Sequence, residues 1–368
     1  MKILYITSLS MNIDSGAQKH VMGIFNELKK MDVDIQLLSP SVFKSGIYGA
    51  IERKFNLAKS TKEAINNLSP DIVYFRYEGA DAFSAKEVIC QRIPYVIELN
   101  TKTVPEFWAT RRFLPYCVSV LTEPWVFSNA SGVAAVTSEI YKYAVKSGKK
   151  ENPFLLAKNG IDIKSYVYYK YNPSIRELYN TPIDAPLLAM IGSISPWHGA
   201  DILLRALSSA ELEKFYLWIV GNIDIYKLRK NFPTQKIFER VKFIPWQNPS
   251  NLTKILSAVD VGIGSLSLQR QQMQEAQPLK VRAYLASGLP TLLGYIDSVI
   301  SSELPFISSG RSSSIEALSL EIRRFYEHVT QNQHELRKQA RDYAEKYLSW
   351  SIAAKETLDF LKDILWKK

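Results

Sequence analysis

The sequence predicts an α/β protein built from two parallel-sheet domains in tandem. Three observations carry this. The length, 368 residues, corresponds to two domains at about 150 residues each. Short apolar runs alternate with amphipathic stretches, and that alternation stops near the middle of the chain and begins again. Strands separated by helices form a parallel sheet covered on both faces.

The first strand is KILYIT, residues 2–7, a buried apolar run. The stretch AQKHVMGIFNELKKM from Ala17 places Val21, Ile24, Phe25 and Leu28 on one helical face. VDIQLLS from Val33, DIVYFRY from Asp71, PYVIELN from Pro94 and GVAAVTS from Gly132 repeat the strand signal, each followed by turn residues or a helical stretch. Residues 165–186, with a turn-rich end, read as a linker. Beyond it LLAMIGS from Leu187, FYLWIVG from Phe215, VKFIP from Val241, DVGIGS from Asp260 and PTLLG from Pro290 are strands, with GADILLRALSS, NLTKILSA and PLKVRAYLAS as helices between them. After about residue 311 the pattern is helical to the end. The expected domains are 1–165 and 166–348. Sheets of this kind carry ligand loops at the carboxyl ends of their strands, which predicts a cleft between the two halves.

Composition narrows the function. With 46% hydrophobic and 22% charged residues, the chain has the balance of a globular protein rather than a disordered one. Cys90 and Cys117 are its only cysteines, too few for a disulfide framework, so a reducing, cytoplasmic setting is expected. The opening MKILYITSLS turns polar too soon for a signal peptide, and no run approaches 18 apolar residues. The formal charge is +10, with 21 basic and 16 acidic residues in 1–165 and 25 and 20 in the remainder. So even a spread, without a basic tail or a recognisable module, argues against a nucleic-acid partner.

Three loops can meet a ligand. Ser15 and Gly16 open the first helix, where free backbone N–H groups can cradle phosphate. One glycine there, rather than three at fixed spacing, excludes the dinucleotide fingerprint; the bland alternative is a glycine that tightens a turn. In IGSISPWHGADILL a strand ends at Gly192 and a helix starts near Gly199, with Ser193 and His198 as polar groups between them. In QEAQPLKVRAYLASGLPTLL, Glu275 lies in a loop, Pro278 can start a helix, and Lys280 sits near the helix start, where a cation is electrostatically odd unless a phosphate lies beside it. A solvated lysine is the alternative. Arg76, Glu98 and Asn100 end two strands of the first half, and can orient ligand hydroxyls or fix loops through internal ion pairs. The histidines at 20, 198, 328 and 334 and the two cysteines have no metal-ligand spacing.

These phrases, in this order, resemble the GT-B glycosyltransferases, specifically the retaining nucleotide-sugar-dependent enzymes of the glycosyltransferase family 4-like group. The resemblance runs nearly end to end, through SGAQKHVMGIFNELKKMDVDIQLLS, AVTSEIYKYAVKSG, KNGIDIKSY with its Asn-Gly-x-Asp at Asn159 to Asp162, IGSISPWHGADILL, QPLKVRAYLASGLPTLL and the closing segment around Trp350. It implies two Rossmann-like domains facing a central cleft, with the closing helix, 349–368, packing back on the first domain. It further implies a metal-independent, retaining hexosyltransferase-like enzyme with no cofactor, whose co-substrate is a nucleoside diphosphate sugar. The acceptor would be a glycan or lipid-linked hydroxyl in polysaccharide or glycolipid biosynthesis. By the same resemblance Glu275, His198 and Lys280 are catalytic. Gly16, Ser15, Gly192, Ser193, Gly199, Ala276, Gln277, Pro278, Leu279 and Ala283 line the donor, and Arg76, Glu98 and Asn100 the acceptor. The family places a second glutamate, for the nucleotide ribose, eight residues after the first. This chain has Ala283 there, which keeps open the alternative of a catalytically silent partner subunit.

Residues 102–127 combine Phe107, Trp108, Phe113, Tyr116 and Trp125 with Lys102, Arg111 and Arg112, and YKYAVKSGKK follows at Tyr141. Aromatics beside cations suit an anionic membrane surface, which predicts a peripheral protein at the inner face of the membrane. The competing expectation is that these aromatics are domain core.

Overall fold

A computed structural model describes residues 1–11, 15–40, 46–193, 195–230, 232, 235–312 and 314–366. The chain divides into two compact units, Met1–Gly160 with Trp350–Lys368, and Ile161–Ser349.

In the first unit the strands are β1 (Lys2–Thr7), β2 (Asp34–Leu38), β3 (Ile72–Arg76), β4 (Tyr95–Leu99), β5 (Gly132–Ala135) and β6 (Phe154–Leu156). They pair in parallel in the order β2-β1-β3-β4-β5-β6. β3, β4 and β5 are buried along their whole length, as strands covered by helices on both faces must be.

The second unit repeats the plan with β7 (Leu187–Ile191), β8 (Tyr216–Val220), β9 (Val241–Ile244), β10 (Val261–Ile263), β11 (Glu275–Ala276), β12 (Thr291–Leu293), β13 (Ile296–Asp297) and β14 (Ile307–Ser309). Its six-stranded sheet runs β14-β12-β10-β7-β8-β9, all parallel, while β11 and β13 pair separately as a two-stranded ribbon. The α/β fold class read from the sequence is therefore the observed one. β6, β14 and the ribbon were not anticipated: two or three residues cannot establish an alternating pattern.

The stretch expected to be a linker is instead part of the second unit. Arg176 is buried, pairs with Asp260 at 2.9 Å and donates to the carbonyls of Ala258, Ile183 and Ala185. A buried guanidinium needs that many acceptors, and they hold residues 171–185 against β7 and β10.

The last helix, Trp350–Trp366, packs on the first helix, Gly16–Lys29, within the first unit. The contact depends on two glycines. A Cβ at Gly23 would lie 2.4 Å from the Trp350 ring, and one at Gly160 would lie 2.7 Å from the Trp350 backbone nitrogen. Gly160→Ala must therefore push backbone as well as ring, and should lower stability by about 1–3 kcal/mol. A urea-denaturation midpoint equal to that of the parent would refute this account of the Asn-Gly pair.

Candidate functional site

At the carboxyl ends of β7, β8 and β10 in the second unit lie Gly192, Ser193 and Gly199, three of the residues expected to line the donor. Gly192 follows β7 directly at φ +104°, a left-handed conformation in which glycine is favoured, and its amide donates to Val220 at the end of β8. Ser193, next in line, is exposed. A short turn of 3-10 helix, Pro196–His198, leads to Gly199 at φ +71° and the helix Ala200–Leu207. A Cβ at Gly199 would sit 2.9 Å from that of Leu266, so this glycine admits the loop that follows β10. That loop is stitched down by the Leu266 amide donating to the His198 carbonyl and the Ser267 amide to the Trp197 carbonyl. Arg270 clamps Asp201 with both terminal nitrogens, at 2.9 and 2.8 Å, and donates to the Pro196 carbonyl. It braces the histidine turn from outside, a role not legible in the sequence because Asp201 lies 69 positions away.

His198 is a neutral imidazole. Its Nδ1 accepts the Ser195 amide at 3.1 Å, which leaves the proton on Nε2. Burial, and then the charge of Lys280, push its pKa down to about 3. It therefore offers a hydrogen bond rather than a charge.

Glu275, read from sequence as a loop residue, lies in β11 opposite Ile296, and Ala276 lies opposite Asp297. The ribbon gives the half-buried glutamate a fixed backbone. Pro278 is the N-cap of the helix Leu279–Ala286, with Leu279 as its first residue. Gln277 is buried and accepts from Arg282 at 3.2 Å. Arg282 in turn forms a fully buried, two-pronged pair with Asp297, which also accepts the amides of Val299 and Ile300. One ion pair thus fixes the ribbon, Gln277 and the helix start together. The Tyr284 hydroxyl locks the same helix to the sheet, accepting from the Ile191 amide and lying within hydrogen-bond reach of the Ala189 and Ile263 carbonyls. Ala283 is 3% exposed and carries no polar group for a ribose.

Lys280 differs from these pairs, as do the buried Ser267, Tyr295 and Ser298 hydroxyls nearby, which have no partner among the described residues. Its Nζ is buried without a hydrogen-bond partner, although its stem is partly exposed. Burial pushes its pKa down to about 7. It stands one residue inside a helix whose first amides have no intrahelical acceptor, and its Cε is 3.9 Å from where a Cβ on Gly192 would be. Gly192, Lys280 and, through its charge, His198 are therefore one neighbourhood.

In the first unit Ser15 caps the helix Gly16–Lys29, its Oγ accepting from the Gln18 amide at 3.1 Å, and Gly16 is the first helical residue. Residues 12–14 of that loop lie outside the described residues. Arg76, Glu98 and Asn100 come together. Glu98, completely buried, accepts from Arg76 at 2.6 Å, Asn100 at 2.6 Å and Tyr5 at 2.9 Å. His20 Nε2 lies 2.8 Å from it at an ion-pair distance without hydrogen-bond alignment. Although burial opposes its charge, the neighbouring His20 and Arg76, with the hydrogen bond from Asn100, hold the Glu98 carboxyl well below the usual carboxylate range. His20 also meets the Asn159 side chain at 2.5 Å and packs edge-on against Trp350. Glu98 is thus the centre of an internal ion-pair and hydrogen-bond cluster, and His20 joins the Asn-Gly motif to the strand ends. His20 was not singled out from sequence, because its partners lie far along the chain.

The aromatic stretch divides. Phe107 is buried, and a Cβ on Gly79 would strike its ring; Trp108, Phe113 and Trp125 are exposed. Among the described residues no helix is long and apolar enough to cross a membrane, and no group of three or more His, Cys, Asp or Glu side chains is placed to hold a metal ion.

Solved structures match the chain over its whole length. Sucrose-phosphate synthase from Thermosynechococcus elongatus superposes with a TM-score of 0.78 at 14% identity, covering 100% of both chains. A glycosyltransferase from Rickettsia africae ESF-5 gives 0.72 at 15% identity, covering 100% of this chain and 99% of that one. Anabaena HepE, solved in complex with UDP and glucose, gives 0.70 at 16% identity, covering 99% of this chain and 100% of that one. The chain has the GT-B fold that these glycosyltransferases share, as the sequence motifs implied. No protein-family model matches it, and no curated protein matches it by sequence.

Lys280 also makes a prediction for the unliganded protein. Its folded pKa, about 7, lies below the ordinary lysine value of 10.5, so the unfolded chain binds more protons between those values, and stability rises with pH across that window. Below pH 7 the penalty is fully present. Lys280→Met should accordingly raise stability at pH 6 by about 1–3 kcal/mol. A urea midpoint at pH 6 no higher than the parent's would show that the ammonium is solvated after all.

Proposed function

We propose that the chain is a retaining, metal-independent glycosyltransferase that moves a sugar from a nucleoside diphosphate sugar to a hydroxyl of a glycan or lipid-linked acceptor. Its place is the cytoplasmic synthesis of a cell-surface polysaccharide or glycolipid, at the inner face of the membrane. The observation that carries the reading is Lys280, a buried amine without a counter-ion among the described residues, at a helix N-terminus beside the glycine turn that ends β7. A diphosphate satisfies both the ammonium and the first-turn amides. The UDP-bound HepE structure on the same fold supports this assignment.

In the reaction the bond from the anomeric carbon to the diphosphate oxygen breaks, and a bond to the acceptor oxygen forms on the same face of the sugar. The acceptor proton passes to the departing phosphate oxygen, so no strong protein base is needed. Charge builds on the leaving group, where Lys280 and the amides of Leu279 and Lys280 receive it without reorganising. His198 adds its neutral Nε2–H. Glu275, fixed in β11, holds the hydroxyls of the transferred sugar.

Ala283 favours a second reading, a silent partner subunit that binds no donor. A thermal-shift panel of UDP-, GDP- and ADP-sugars separates the two, because a true donor at about 100 times its Kd adds about 2.7 kcal/mol of stability. The affinity of that donor should fall as pH rises above about 7, since neutral Lys280 must take up a proton to bind an anion. Lys280→Ala should remove the pH dependence and weaken binding about 10- to 100-fold. Glu275→Ala should nearly abolish transfer in an assay of sugar release and acceptor glycosylation. If no sugar nucleotide binds or turns over, the transferase reading fails and the silent partner stands.

A further inference from the structure

We propose that Glu123 is a pH-dependent latch for two ligand loops of the first unit. As a neutral acid it ties the helices Thr103–Ala109, Phe113–Asn129 and Ser138–Gly148 together; as a carboxylate it lets the first of them open. The inference concerns the first unit alone and does not rest on the transfer reaction.

Glu123 is the single charged residue among the 17 of its helix, and it faces inward at 1% exposure. Its two oxygens meet the hydroxyls of Thr103 and Tyr143, one each. Those hydroxyls lie 3.4 Å from one another, and the Val104 amide donates to that of Tyr143 at 3.4 Å. One carboxyl thus closes a ring through the first turn of Thr103–Ala109 and the middle of Ser138–Gly148. The same helix holds a second loop, because Ser119, one turn before Glu123, accepts the Ala80 amide at 3.0 Å. Arg76 and Glu78 precede Ala80 at the end of β3, and Asn100 precedes Thr103 just past β4. Both are carboxyl-end loops, where sheets of this kind meet ligands.

Among the described residues no cation balances this carboxyl. The titratable groups that face it are Tyr143 and Tyr77, phenols whose own pKa burial pushes up. The charged groups of the surrounding elements are engaged elsewhere: Lys102 pairs with Glu139 at 2.5 Å, and Lys54 with Asp81. Lys86, Lys142 and Lys146 are exposed, Glu87 and Glu106 are half-buried, and none of them acts on Glu123. A buried carboxylate among hydroxyls alone is unfavourable, whereas the neutral acid keeps the same neighbours and adds a donor. Burial accordingly raises its pKa from the ordinary 4.5 to about 7, against the pull of the Thr103, Tyr143 and Ser119 hydroxyls. Between those values the closed form holds more protons than an opened one. Closure is therefore destabilised as pH rises across that window, and the penalty is fully present above pH 7.

The test is hydrogen exchange on the full chain without donor, followed by mass spectrometry for residues 100–110 and corrected for the intrinsic pH dependence of exchange. Opening of this segment should rise about tenfold between pH 6 and pH 8, while protection of the helix Gly16–Lys29 in the same unit stays constant. Glu123→Gln, which keeps the shape of the neutral acid, should remove that rise. A pH-independent opening of residues 100–110 in the parent overturns the proposal, as does a tenfold rise that persists in folded Glu123→Gln. Carbon-13 titration of the glutamate carboxyls in the parent is a readout that needs no variant, and a set in which every carboxyl titrates below about pH 5.5 overturns the proposal equally.

Discussion

A lysine ammonium held away from water, with no anion beside it among the described residues, sets the terms for the second unit. Burial alone disfavours its charge, and its place in the first turn of a helix adds the positive end of the backbone dipoles to the same neighbourhood. The field reaches further: after burial, the charge of Lys280 is the second influence that lowers the pKa of His198. On the proposed reading a diphosphate would reverse both costs, pairing the ammonium and accepting from the first-turn amides.

The contrast with other buried charges makes the point sharper. Two residues along the same helix, Arg282 is just as enclosed, yet Asp297 meets it with both oxygens and Gln277 with a third acceptor. In the first unit the buried Glu98 is surrounded by Arg76, Asn100, Tyr5 and His20. Buried pairs of this kind resist the loss of either partner far more than they add net stability, and they act here as fixings: Arg282 holds the ribbon of Glu275 against the helix of Lys280, and Glu98 holds the strand ends. Arg337 is buried against carbonyls alone, with its Nε unpartnered, so it is the place of Lys280 in the first turn of a helix, beside Gly192, that supports the proposed anion site.

Much of the fold was legible because buried parallel strands are written as local apolar runs: KILYIT and LLAMIGS need no partner to be recognised. What escaped was encoded at long range. Arg176 in a turn-rich segment reads as a solvated residue until Asp260, 84 positions away, is known to face it. His20 reads as one polar position on an amphipathic helix until Asn159, 139 positions away, meets its ring. The site was legible in part for the same reason. Lys280 beside Pro278 violates a local electrostatic rule and can be noticed in isolation. The anchoring of its helix by Arg282 is visible only when the ribbon partner Ile296–Asp297 is in place. Among the aromatics of residues 102–127, composition did not decide between core and surface, because burial there follows from where Glu123 finds its hydroxyl partners.

Ala283 bears on what kind of binding energy the site uses. A carboxylate on a ribose contacts a part of the donor that does not change during transfer, so it would stabilise the bound ground state and the transition state alike, lowering KM without raising kcat. Contacts to the diphosphate behave differently. As the glycosidic bond breaks, negative charge grows on the oxygens facing Lys280 and the first-turn amides, and their interaction strengthens with it. Replacing the ribose contact by a methyl group therefore removes the term that chemistry does not need and leaves in place the term it does. A weaker grip on the nucleotide also shifts more of the donor's affinity onto Lys280. On this argument an alanine at 283 is compatible with a working transferase of high KM, and it is the protonation of Lys280, rather than the missing carboxylate, that decides whether the second unit can hold a donor.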